Sequence, residues 1–432
     1  MIPDLAEKLK PTLKEYFSRV RMFRPNARLY LISALSNGIA MGVYRVLFNF
    51  YVLSLGYNEA LLGRLITTSQ FTALILALPM GYLVDRWGRK NALVTRTLLL
   101  GFSIGAMALF PSLGVFYGMN GLFGIVRSIS SVAMAPFLME NSGEEERTYL
   151  FSFSSGLRMG SIFVGNWVGG YLPTWLGNLQ GLAPTSSEAY GSALLAMAFV
   201  TLLGLIPLLL LKPVVKKEGD LGPGFAPITY AAQHPKLLGK LLFPSLLISI
   251  GAGLFMPFMN VFFRTVHNQT DQVIGTLFAW GSLAMGIGLL IAPPIADRLG
   301  KIQLVIITQG LSIPFMAMLG FSPFFSLSTA AYYVRLTLMN MSNPIYQTFV
   351  MEKVDQAVRS TVASLVSLTW SFGRAFSPTI SGWLQVQYGF GPPFAIAITL
   401  YSIAIVLYWL FFIRFKESRT LFPSDEAFPA SD

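Results

Sequence analysis

The sequence predicts an all-α polytopic membrane protein, with twelve transmembrane helices in two pseudo-symmetric six-helix bundles. Three observations carry that expectation. Charged residues make up 12 % of the 432-residue chain and hydrophobic residues 54 %, with a mean hydropathy of +0.60, whereas ordinary soluble domains carry about 25 % charge. The apolar residues gather in twelve runs of the length, roughly 20 residues, that a helix needs to cross a hydrocarbon core. A short charged turn, GYLVDRWGRK at 81–90, returns as ADRLGK at 296–301, so that Asp85 and Asp297 stand 212 residues apart, about half the chain. A soluble helical protein would need polar faces at the helical period, and a run such as LLAMAFVTLLGLIPLLLL has none.

Taken in order, residues 1–27 form a cytoplasmic N-terminal segment in which Leu5, Leu9, Leu13, Phe17 and Val20 recur at helical spacing between basic residues. Such a segment is an amphipathic helix on the inner membrane surface, or else a solvated arm. It is too charged for a signal peptide and lacks a short apolar stretch before a cleavage site. Six runs, near 28–54, 59–82, 90–110, 113–138, 147–176 and 188–211, make the first bundle, residues 28–211. The Lys-, Gly- and Pro-rich stretch 212–236 reads as a cytoplasmic linker. Runs near 237–265, 272–296, 301–321, 324–350, 357–387 and 392–413 make the second bundle, residues 237–413, and 414–432 is a short cytoplasmic tail. Several runs contain Gly, Pro or Ser, which bilayer helices tolerate because neighbours re-satisfy the freed backbone groups.

Lys and Arg gather in the N-terminal segment, in alternate loops and in the tail, with Arg264 the main exception on the opposite side. The positive-inside rule then places both termini in the cytoplasm and the chain in the inner membrane. The net charge of +11 is accounted for by topology and makes no case for nucleic acid as a partner. With no Cys in the chain, disulfides, thiolate metal sites and Cys nucleophiles are excluded. His234 and His267 both fall in or beside loops, so the spans hold no catalytic constellation.

Further pairs sharpen the repeat. Arg127 precedes Pro136 by nine residues, as Arg335 precedes Pro344; Glu140 precedes Arg147 by seven, as Glu352 precedes Arg359; Gly42 precedes Asn49 by seven, as Gly253 precedes Asn260. The spelling G-x-x-x-D-R-x-G-R-K resembles the signature loop between spans 2 and 3 of the major facilitator superfamily of secondary transporters, with no subfamily resolved. The second copy keeps Asp297, Arg298, Gly300 and Lys301 but has Pro293 where Gly81 stands. Arg127 resembles the Arg that opens the family's span-4 motif, without the Gln-Gly that follows it there. GNWVGG at 165–170 is similar to the glycine-rich antiporter motif with Asn166 in place of its Pro, and SPTISG at 377–382 keeps Pro378. The resemblance covers residues 28–413 and implies alternating access between two halves, with the substrate site near the midplane. It implies no chemical step and no cofactor, and no nucleotide-binding P-loop occurs.

Ionisable residues inside the spans point to the substrate. Arg45, Arg64, Arg127, Arg158, Arg335 and Arg374 fall within spans 1, 2, 4, 5, 10 and 11, with Arg64 near an outer end, whereas no carboxylate lies deep in a span. An Arg at mid-bilayer costs about 2.5–3.5 kcal/mol on insertion scales, so five deep ones cost roughly 15 kcal/mol if uncompensated. They must face a wet cavity, backbone acceptors or an anion. A guanidinium binds carboxylate or phosphate with two parallel hydrogen bonds and keeps its charge, so Arg45, Arg374, Arg127, Arg335 and Arg158 are substrate-binding candidates. The alternative is that each ties helices together through carbonyls and polar side chains such as Asn49, Asn340 and Asn343. Tyr44, Gln70, Asn166, Asn260, Trp280, Tyr346 and Trp370 are secondary lining candidates.

The resemblance also implies a gate. In the family, the Asp of the repeated loop contacts the start of a span in the other half and favours the state closed on the cytoplasmic side. Here Asp85, with Arg86, Gly88 and Arg89, would face Ser360 and Thr361 at the start of span 11. Asp297, with Arg298, would face Thr148 at the start of span 5. A carboxylate gains about 0.3–2 kcal/mol at a helix N-terminus. Glu140 with Arg147, and Glu352 with Arg359, would extend two charge clusters. The sequence thus predicts a monomeric transporter of an anionic or amphiphilic organic solute, with export favoured. Proton-coupled uptake or exchange of an organic anion, and lipid or lysolipid flipping, are the alternatives.

Overall fold

Polar residues at matching places start the helices. Asn58 accepts a hydrogen bond from the Leu61 N–H, and Thr270, 212 residues later, accepts one from Val273, so each caps the second helix of its half. The computed structural model describes residue 18 and residues 20–212, 234–354 and 359–414; most of the N-terminal segment, the linker and the tail lie outside these. Twelve long rods follow one another along the described residues. The first half holds α1 (Pro25–Ser54), α2 (Glu59–Trp87), α3 (Arg89–Leu109), α4 (Leu113–Glu140), α5 (Glu144–Gln180) and α6 (Ser187–Leu209). The second holds α7 (Pro235–Thr265), α8 (Asp271–Leu299), α9 (Lys301–Phe321), α10 (Phe325–Glu352), α11 (Arg359–Tyr388) and α12 (Gly391–Arg414).

Nine of these rods are apolar enough to cross a bilayer by composition alone; the three that are not are α5, α10 and α11. These three carry Arg158, Arg335 and Arg374. One rod is broken. At Pro257 the α-helix of α7 passes through a short 3₁₀ turn, Met256–Phe258, before resuming. Proline removes a backbone donor and crowds the preceding turn, and the Pro257 carbonyl accepts from Asn49 Nδ2 at 2.9 Å.

The two D-R-x-G turns are built alike. Gly88 has φ +82° and ψ 153°, and Gly300 has φ +90° and ψ 147°, each ending one helix and beginning the next without a spacer. That backbone region is essentially closed to residues with a Cβ, which explains why glycine stands in both copies of the motif.

The end of the molecule where α1 begins and α12 finishes is called the near end, and the other the far end. Among the described residues, every hydrogen bond between the halves lies toward the far end. Asn49 meets Asn260, Asn166 meets Phe278 and Ser282, Thr174 meets Gln272, and Thr67 meets Thr379. A Cβ on Gly63 would lie 2.2 Å from the Pro378 carbonyl oxygen, so only glycine lets α2 and α11 touch there. Toward the near end the first half has a separate apolar core, including Phe23, Leu31, Val84, Leu93 and Phe137, which draws on no residue of the second half. The halves close on each other at the far end and part toward the near end.

Candidate functional site: a basic cavity between the halves

Where the halves part, a cavity of about 610 Å³ opens mainly against the first half, lined by Arg45, Arg96, Arg127 and Arg158 with Tyr44 and Gln70. A second lobe of about 330 Å³ lies against the second half, lined by Arg335, Arg374, Trp370, Asn340 and Asn343. Arg45, Gln70 and Pro257 border both, which joins them into one cavity. Six guanidinium groups line it, and no carboxylate does. Arg45, Arg127, Arg158 and Arg374 are exposed into this space, Arg127 from the first half and Arg374 from the second.

The walls are aromatic where they are not basic. Tyr44 stacks on Phe48 at 4.8 Å and on Phe123 at 4.7 Å. Arg45 lies over the Phe278 ring at 5.4 Å and Arg374 over Trp370 at 5.1 Å, arrangements that hold a guanidinium without neutralising it. Arg335 differs from the others. It is 3 % exposed, sits between Phe255 at 4.6 Å and Tyr401 at 5.1 Å, and its Nε and one terminal nitrogen have no hydrogen-bond partner. A buried, unsatisfied cationic donor is costly unless an acceptor arrives.

Several sequence expectations need correction. Arg127 and Arg335 are not equivalent: α4 and α10 have equal lengths of 28 residues and end at Glu140 and Glu352, so Arg335 stands about one turn farther from the near end. Asn49 and Asn260 do not present free amides. Asn49 Nδ2 donates to Asn260 Oδ1 at 2.8 Å and Asn260 Nδ2 to the Val46 carbonyl at 2.9 Å, so the pair clamps α1 to α7; Asn260 lines neither lobe. Asn340, which lines the second lobe, commits its Nδ2 to the Leu336 carbonyl at 2.8 Å. Tyr346 is buried, with its hydroxyl donating to the Leu241 carbonyl, and Asn166 is buried between the halves. Trp280 is exposed and Arg64 is exposed.

The expected charge clusters also pair differently. Arg89 bridges Asp85 at 2.7 Å and Glu140 at 3.4 Å, and Lys301 pairs with Glu352, the same two positions in each half. Arg147 and Arg359 are not the partners: the buried Nε of Arg147 is unsatisfied, and Arg359 Nε donates to the Met351 carbonyl at 2.9 Å. A residue at a helix start lies beside the end of the preceding antiparallel pair, which neighbouring sequence spacing does not show. Asp297, Arg298 and Arg86 are exposed, and among the described residues no hydrogen bond joins Asp297 to Thr148. The side chains of Ser360 and Thr361 lie outside the described residues. Among the described residues, the near-end charge pairs Arg89–Asp85, Arg89–Glu140 and Lys301–Glu352 each lie within one half.

Two features escaped the sequence reading. Arg96, in α3, lines the cavity and donates from Nε to Ser130 Oγ at 2.5 Å. At the far end, Arg264 pairs with Asp271 at 2.5 Å, Tyr190 donates to Asp271 at 2.6 Å, and Arg264 also reaches the Tyr190 hydroxyl and lies 3.8 Å over Phe50. Tyr190 and Phe50 belong to the first half, Arg264 and Asp271 to the second, so this buried network locks the far end. Its signal was the one Arg on the side where basic residues are scarce.

A helical membrane protein with a polar cavity between two repeated halves, sealed at one end, has the architecture of an alternating-access transporter. The model of the Major Facilitator Superfamily matches residues 30–378, and the chain belongs to that family. It is similar to the Multidrug resistance protein MdtG of Dickeya zeae (strain Ech586), 21 % identical over 416 residues that cover 92 % of this chain and 97 % of that protein. Among solved structures it resembles a variant of the nucleoside transporter NupG, at TM-score 0.74 and 14 % identity, covering 90 % of this chain and 100 % of that one. A bacterial homolog of the human lysosomal transporter Spinster, in an inward-facing and occupied conformation, matches at TM-score 0.72 and 12 % identity, covering 89 % and 95 %. The chain is an integral membrane protein with the transporter fold.

Proposed function

We propose that the protein carries an anionic or amphiphilic organic solute by alternating access. The observation behind this reading is the lining of the joined lobes: six arginines, aromatic walls and no carboxylate. A cationic solute would meet only repulsion there, whereas an anion relieves the mutual repulsion of the guanidiniums and can fill the empty donors of Arg335. The distribution of Lys and Arg makes the near end cytoplasmic, so the molecule stands open to the inside. Export is the favoured direction. An inside-negative potential expels an anion by about 2.3 kcal/mol per charge per 100 mV, and the name of the Dickeya relative points the same way.

A lipid-like solute is the second reading. An apolar groove of about 320 Å³ lies between α2, α7 and α11, lined by Leu74, Leu246, Leu365, Leu368, Thr369 and Phe372. Arg374 and Trp370, on the same stretch of α11, line the cavity, so an anionic head inside and an acyl chain in the groove fit together.

Thermal-shift screening of the purified protein against matched anionic and cationic amphiphiles tests both readings. Stabilisation by anions, weakened about 10- to 100-fold in apparent affinity by Arg374→Ala, is expected from the loss of one charge-assisted contact of about 1.5–3 kcal/mol. Stabilisation by cations alone would reject the anionic cavity.

A further inference from the structure

A third cavity, of about 240 Å³, lies inside the first half among α1, α3, α4, α5 and α6. It shares Met41, Arg96, Ser130, Met134, Arg158 and Ile162 with the main cavity and so branches from it toward the near end. Its remaining wall includes Tyr30, Ser33, Asn37, Thr97 and Ser154. The polar lining is built and mostly committed. Asn37 Nδ2 donates to the Ser33 carbonyl at 2.9 Å and to Ser33 Oγ at 3.1 Å, which fixes the orientation of the amide. Its Oδ1 is left buried without a donor, in a side chain only 4 % exposed. Arg96 uses Nε on Ser130, leaving its terminal nitrogens without a hydrogen-bond partner among the described residues, and Arg158 makes no hydrogen bond among them.

The counterpart positions in the second half are filled differently. Tyr346, 212 residues after Met134, reaches across to the Leu241 carbonyl, and Tyr408 meets Ser245 at 2.9 Å. Two buried tyrosines fill the counterpart space. A lining of two cations and one empty acceptor, where the other half places tyrosines, is not a requirement of the repeated scaffold.

We propose that this chamber binds an oxyanion that also carries an O–H donor, such as hydrogen phosphate or an α-hydroxycarboxylate, free or as one end of a larger solute. The guanidiniums of Arg96 and Arg158 take the anionic oxygens, and the O–H satisfies Asn37 Oδ1. An anion of the same charge without a donor leaves two oxygens facing each other, which disfavours it by about tenfold or more. The inference goes beyond the reading of the central cavity and is tested apart from it.

The test is thermal unfolding of the whole purified protein at fixed ionic strength with two matched pairs, hydrogen phosphate against sulfate and glycolate against acetate. Sulfate and phosphate both stabilise proteins non-specifically by exclusion from the surface, so the preference within a pair is the readout. We expect the donor-bearing member of at least one pair to bind about tenfold more tightly, and the pair that discriminates identifies the source of the ligand. Asn37→Leu should erase that preference. Ala34→Leu, on the α1 wall of the chamber, narrows it without altering either arginine; it should erase the preference too, and covers the case in which Asn37→Leu fails to fold. Arg374→Ala should leave the preference intact while weakening organic anions in the central lobes. Equal binding within both pairs, or a preference that survives Ala34→Leu, overturns the proposal.

Discussion

The two halves of the molecule share a frame and differ in lining. Helix caps at Asn58 and Thr270, turns at Gly88 and Gly300, and the pairs Arg89–Glu140 and Lys301–Glu352 recur at one constant offset. Cavity-facing positions do not. The first half offers four arginines, a stacked aromatic wall and a side chamber; the second offers Arg335 and Arg374 and fills the matching chamber with tyrosine. Such a division is what the proposed function expects: a frame shared by both halves, and a lining that diverges to meet a solute without two-fold symmetry.

The sharpest way to break that comparison is at the far end. Asp271 and Glu59 begin α8 and α2 at the same offset, yet only Asp271 is held in an ion pair. Asp271→Asn should leave Arg264 poorly compensated. We expect it to weaken the far-closed state by about 3 kcal/mol, the lower end of the range because Arg264 keeps a quarter of its side chain exposed. Spin-label distances across the far end should lengthen in this variant and stay unchanged in Glu59→Gln. Equal effects at the two sites would mean that the lock is not specific to the second half.

Next in size is the contrast within the second lobe. Arg335→Ala relieves two unpaired nitrogens but loses the contacts with both aromatic rings and leaves a cavity where a large buried side chain stood, so it should lower stability by about 2 kcal/mol. Arg374→Ala, exposed in the cavity, should change stability by no more than about 0.5 kcal/mol. Chemical denaturation in detergent distinguishes them, and similar losses would deny that one arginine is structural as well as ligand-facing. The smallest expected difference between two sites is at the turns. Gly88→Ala and Gly300→Ala both place a Cβ in the same strained region and should each cost about 1–2 kcal/mol; a large cost at one and none at the other would show that the shared frame is not shared in function.

Much of this was legible in the sequence for identifiable reasons. The bilayer demands long apolar helices, so all twelve rods stand close to the runs of the sequence, and charge is so unfavourable inside it that five buried-span arginines announced the cavity. The residues that the sequence misplaced are those whose roles depend on partners far along the chain. Asn49 and Asn260 looked like free polar side chains because nothing local shows that α1 and α7 meet at their level. Glu140 was matched to Arg147 by spacing, whereas antiparallel packing of α3 on α4 brings Arg89 instead. Arg96 carries no sequence signal that separates it from a span-end charge, because its place in the cavity depends on how α3 packs against α4. The break at Pro257 was hidden by the general tolerance of membrane helices for proline.

The central claim is that the joined lobes recognise negative charge, and flux measured in liposomes tests it most directly. Purified protein would be reconstituted with a fluorescent amphiphile in two forms that differ only in the sign of the headgroup. The potential would be set by a potassium gradient at equal pH on both sides. The account expects transport of the anionic form, accelerated by a potential that is negative on the loading side and reduced at least tenfold in Arg374→Ala. Transport of the cationic form instead, or anion flux that ignores the potential and survives Arg374→Ala, would contradict it.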